Sequence, residues 1–145
     1  MVLIEFLALF LCGIFFGAAV YISIAQHPAT MKTGTPFAAK FFPPMYNLAA
    51  PMQITTAIGG TLAGLLQWFF GGSIIWLVGA VLLIFVIPFT LIFLKPINDQ
   101  LLDTDAQRTD ADTEKLLNQW APRHWVRSIA SGLAFALYIW ASITA

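Results

Sequence analysis

The chain has 145 residues, 59% hydrophobic and 10% charged, and its seven basic and seven acidic side chains cancel. A soluble domain carries roughly 25% charged residues, so a water-soluble globule is excluded in practice, and a balanced charge leaves no basic surface for nucleic acid. The single cysteine, Cys12, lies inside an apolar run, which rules out an intrachain disulfide, a CxxC redox pair and a thiolate metal cluster.

Four long apolar runs follow one another in a single domain, 1–145. The first, 2–24, contains only Glu5 as a charge; with no Lys or Arg before Lys32 it lacks the basic start of a cleaved secretory signal and reads as a helix of the mature protein. The runs 51–70 and 73–94 are uncharged, and 126–145 holds only Arg127, at its start. At about 1.5 Å per residue, about 20 residues cross a hydrocarbon core roughly 30 Å thick. The expectation is an all-α integral membrane fold, four transmembrane helices in an antiparallel bundle embedded in a lipid bilayer.

The two connecting stretches, 25–50 and 95–125, carry the polar chemistry. All seven Lys and Arg residues fall in them or at the start of the last helix, so they are expected on the cytoplasmic side, with both termini and the Gly71-Gly72 turn on the non-cytoplasmic side. Pro28, Pro36, Pro43 and Pro44 predict an extended, turn-rich first loop anchored by Phe37, Phe41 and Phe42. The acidic stretch Asp99 to Glu114 does not match calcium-loop spacing and reads as a solvated helix and turn. Asp110 is a candidate N-cap for a short amphipathic helix running toward Trp120. Pro88 should disturb the ladder of the third helix, and Trp68, Trp76, Tyr138 and Trp140 suit an interfacial aromatic belt. Gly13 with Gly17, and Gly60 with Gly64, have the spacing that lets helix backbones approach closely in lipid.

This topology gathers His27, Tyr46, Gln53, Asn98, His124 and Arg127 at one end of the bundle. At 100° per residue, Trp120, His124, Arg127, Ser131 and Tyr138 share one strip of the last helix, and Gln53, Thr56, Gly60, Gly64 and Gln67 share another. Polar strips are costly against lipid, so the two should meet across a narrow cavity. Each residue also has a plainer role: His27 and Asn98 as caps, His124 as an interfacial anchor, Arg127 snorkelling to headgroups.

The pattern Tyr21, Ala25-Gln26-His27-Pro28-Ala29, then Phe42-Pro43, Tyr46 and Pro51, then Pro96-Ile97-Asn98, then Leu117, Trp120, His124 and Arg127 resembles bacterial membrane proteins grouped with fungal anthrone oxygenases. The resemblance implies a helical membrane fold and, from the fungal members, oxidation of an anthrone to an anthraquinone by dioxygen without a bound cofactor. In that chemistry His124 or His27 is the base and Arg127 stabilises the phenolate or peroxide. Tyr46 or Asn98 orients the ligand, a hydrophobic aromatic small molecule arriving from the bilayer, with Trp120, Trp125, Phe41, Phe42 and Gln53 around it. Two other classes stay open: a haem b or metal protein with His27 and His124 as axial ligands, and a non-enzymatic accessory subunit or carrier in a homo-oligomer or larger membrane complex. A di-iron carboxylate centre is a poor fit, because Glu5 is the one acid inside an apolar run.

Overall fold

A computed structural model describes residues 1–144. It contains four long helices, α1 (Val2–Lys32), α2 (Thr35–Phe69), α3 (Ile74–Leu102) and α4 (Asp110–Ile143), and no strand among the described residues. Short links reverse the chain each time, and α1 and α3 each pack against both α2 and α4, which closes an antiparallel four-helix bundle. By length and composition α1, α3 and α4 can each cross a membrane. The fourth helix, α2, is less apolar because its uncharged part carries Gln53, Thr56, Thr61 and Gln67, all turned into the bundle.

The expected loops are largely helix. In 25–50 the chain leaves the helix only at Thr33 and Gly34, whose φ of +105° suits glycine. Of 95–125, only 103–109 stays outside α3 and α4, and the separate amphipathic helix merges into α4 through Pro122. The N-cap of α4 is Thr109, one residue before Asp110; its hydroxyl accepts from the Asp112 backbone N–H at 3.1 Å. In lipid a broken helix strands polar backbone groups, so the chain stays helical through prolines that would read as breakers in water.

Two of those prolines leave a mark. A π-turn occupies Ile22–Gln26 just before Pro28, and another occupies Thr90–Leu94 just before Pro96. Proline has no N–H for the carbonyl four residues back, and a one-residue widening of the ladder accommodates the defect. In α3 the disturbance therefore belongs to Pro96, while Pro88 sits in regular α-helix.

Residues 70–73 form a tight reversal. The Gly72 N–H bonds to the Gln67 carbonyl at 2.9 Å and the Gly71 N–H to that of Trp68 at 3.1 Å, with Gly71 at φ +97°, a Schellman closure of α2.

The core has two packed zones. Near the termini, Ala8, Cys12, Phe15, Trp76, Leu83 and Tyr138 interlock; toward the other end, Ile22, Phe42, Leu94, Ile97, Leu117 and Trp120 do so. Trp76 and Tyr138 are thus inside the bundle, with ring centroids 5.0 Å apart, and only Trp68 and Trp140 of the expected belt face outward. Glycines make the space. A Cβ on Gly64 would collide with the Tyr138 phenol, and one on Gly60 would press against Leu83 and the Cys12 backbone. Gly13 abuts Phe135, whereas Gly17 has nothing near it. Gly64→Ala should therefore lower stability by about 1 to 3 kcal/mol and Gly17→Ala should not, as thermal unfolding of the purified protein would register.

Candidate functional site

Between the two core zones lies a cavity of about 120 Å³. Every helix contributes to it: Phe15 and Ile22 from α1, Tyr46 and Gln53 from α2, Val86, Thr90 and Asn98 from α3, and Trp120, His124 and Arg127 from α4. Of the residues singled out in the sequence, Tyr46, Gln53, Asn98, Trp120, His124 and Arg127 line this one space; His27, Phe41, Phe42 and Trp125 do not.

The strip on α4 sets the polar wall. His124 is 2% exposed and stacks on Trp120 with centroids 4.5 Å apart and planes 19° from parallel. The indole N–H of Trp120 donates to Asn98 Oδ1 at 2.8 Å, which ties α4 to α3. On the other side of the imidazole, the Ser23 hydroxyl lies 2.9 Å from His124 Nδ1 and 2.8 Å from the Ser128 hydroxyl. Ser23 sits inside the first π-turn and is buried facing α4. The ring is thus held by a stack on one face and a hydroxyl at one nitrogen.

Arg127 is half-buried. One terminal N–H₂ donates to Gln53 Oε1 at 2.5 Å, and the guanidinium carbon is 5.5 Å from the Phe15 ring centroid. Its Nε is enclosed and has no hydrogen-bond partner. No carboxylate pairs with it; among the described residues the one ion pair is Lys95 with Asp99, at 2.6 Å on the surface. The two strips meet as expected, at Arg127 with Gln53 and again where the Tyr138 hydroxyl donates to the Gly60 carbonyl at 3.2 Å.

His27 is placed differently. It packs against Trp120 with centroids 5.1 Å apart and lines a second, much smaller cavity with Phe41, Phe42 and Leu117. Trp120 is a wall common to both spaces. The two imidazoles thus each pack against that one indole. No three His, Cys, Asp or Glu side chains gather among the described residues.

The aromatic set also changes. Phe42, expected as a surface anchor, is 3% exposed and meets Trp120 edge to face at 5.8 Å while stacking on Tyr46. Trp125, expected beside the ligand, is 38% exposed on the outside of α4. Sequence reasoning missed Ser23, Ser128 and Phe15. Ser23 is the only hydroxyl-bearing aliphatic side chain of the first apolar run, a faint signal; a regular α-helical wheel would not have aimed it correctly, because the π-turn shifts the register.

Chemically, the site offers an imidazole within a largely apolar cavity and, beside it, a cation that no carboxylate among the described residues pairs with. Residues 42–137, about two thirds of the chain, match the family model described as anthrone oxygenase. No curated protein and no solved structure matches the chain.

Proposed function

The chain belongs to the anthrone oxygenase family, and on that premise we propose that it is a membrane oxygenase oxidising a flat, phenolic aromatic substrate with dioxygen, without a resident redox cofactor. The observation that carries this reading is the placement of His124 and the carboxylate-free Arg127 on one aromatic cavity. A buried cation without a counter-charge is unfavourable, and an acidic substrate oxygen supplies the missing anion.

The chemistry balances with the groups at hand. His124 takes a proton from the methylene between the two aryl rings, and Arg127 stabilises the resulting enolate or phenolate. The carbanion passes one electron to dioxygen; the radical and superoxide combine to form the C–O bond of a peroxide. Loss of the second methylene hydrogen as a proton, with heterolysis of the O–O bond, yields the quinone carbonyl and water. One anthrone and one dioxygen give one anthraquinone and one water. Trp120, held by Asn98, and Tyr46 form the aromatic walls that orient the ring system. The clustering of all Lys and Arg at this end supports placing the site toward the cytoplasmic face of a bacterial plasma membrane.

Ser23 is a positioning residue, acting through His124. Ser23→Ala leaves a buried ring nitrogen unpaired, a cost of about 1 to 3 kcal/mol, and should lower kcat while leaving KM in place; Ser23→Thr should restore the rate.

The test is oxygen uptake by the protein in nanodiscs with a hydroxylated anthrone, corrected for spontaneous autoxidation. Uptake matched one for one by quinone formation, in a preparation with no Soret band, is expected. No acceleration over protein-free nanodiscs would overturn the reading, and co-purification with a larger complex would then favour an accessory subunit.

A further inference from the structure

The cavity's polar wall and its opening lie on different helices. Its lining residues on α1, Phe15 and Ile22, are buried, and α4 contributes buried Trp120 and His124 with half-buried Arg127. The exposed lining residues are Ile54 on α2, 51% exposed, and Leu91 on α3, 58% exposed, with Ala50 and Ile87 partly exposed beside them. The mouth is therefore the seam between α2 and α3.

That seam faces hydrocarbon. No Asp, Glu, Lys or Arg occurs between Lys40 and Lys95, and the outward side chains along both helices, including Ile58, Phe85 and Ile92, are large and apolar. Leu91 lies one helical turn below Lys95, about 6 Å along the axis, and the exposed Lys95 and Asp99 pair marks where the surface turns polar. The mouth sits just inside that boundary. Alanines at 49 and 50 keep its α2 side thin, and Pro51 and Pro88 stand next to it on exposed positions.

We infer that the cavity is loaded sideways from the bilayer, through a portal between α2 and α3 framed by Ala50, Ile54, Ile87 and Leu91, by a flat apolar molecule bearing an acidic hydroxyl. The ligand slides in from the hydrocarbon and presents its oxygen to Arg127, whose enclosed Nε has no protein acceptor. The ligand class rests on the oxygenase reading; the route rests on the exposure pattern alone.

The experiment uses the full chain in phosphatidylcholine nanodiscs and reads tryptophan quenching by dihydroxyanthraquinone, added free or tethered to the acyl-chain end of a phospholipid. The tethered form cannot leave the bilayer, so lateral entry predicts that it quenches and displaces the free form. Ile54→Phe and Leu91→Phe, at exposed positions that do not disturb the core, should lower the association and dissociation rates together by about tenfold, with Kd changed by less than about threefold. Val81→Phe, exposed on α3 away from the mouth, should change neither rate. Tethered probe that fails to compete while free probe binds, or mouth variants that weaken Kd at an unchanged association rate, would overturn the portal. Wild type that binds neither probe would overturn the assigned ligand class. Binding of both without oxygen uptake would sink the oxygenase reading and leave the portal standing.

Discussion

Replacing His124 by Gln should lower the rate of anthrone oxidation by about 10² to 10⁴-fold, the range a positioned general base supplies. The glutamine amide can still meet Ser23 and pack on Trp120, so the fold is expected to survive and the loss to fall on kcat. His27→Gln should do far less to the rate, because His27 lines the small cavity behind Trp120 and not the large one. Equal loss in the two variants would contradict this division and would favour a role that needs both imidazoles, such as haem ligation.

Arg127→Met should separate activity from stability. Turnover is expected to fall by about 10² to 10³-fold, as on removal of a single donor to a developing anion. Stability should hold or rise. The guanidinium is a cation in the bundle with one hydrogen bond, one aromatic neighbour and no carboxylate, and exchanging an imperfectly compensated buried charge for an apolar chain of similar length is often neutral or stabilising. The unpaired Gln53 left behind offsets part of the gain. Melting curves and initial rates on the same preparation check both halves; a variant that unfolds more readily would mean that Arg127 holds the bundle together.

Much of the bundle is legible in residue order. Four uncharged or nearly uncharged runs, the two-glycine turn and the confinement of Lys and Arg to two stretches are enough to set four helices with their polar groups at one end. Helical spacing alone also brought Trp120, His124, Arg127 and Tyr138 to one strip, and the helix runs unbroken through Pro122. What the residues concealed has a common cause. Prolines in a membrane helix do not end it, so 25–50 and 95–125 read as loops and fold mostly as helix. The π-turns before Pro28 and Pro96 then shift the faces beyond them, which is why Ser23 could not be placed against His124 by counting. Aromatic side chains were less predictable: Phe42 and Trp76 look like interfacial anchors by position, yet both are buried, and Tyr138, which suited the belt as well as the inward strip, fills the space left by the missing side chain of Gly64.

On the proposed mechanism, His124 removes the substrate's methylene proton before oxygen reacts. This step is tested most directly without oxygen, by following the washout of deuterium from a methylene-deuterated hydroxyanthrone in anaerobic nanodiscs. Wild-type protein should accelerate the exchange well above protein-free nanodiscs, and His124→Gln should abolish the acceleration. Exchange no faster than the protein-free control, or undiminished in His124→Gln, would contradict the mechanism.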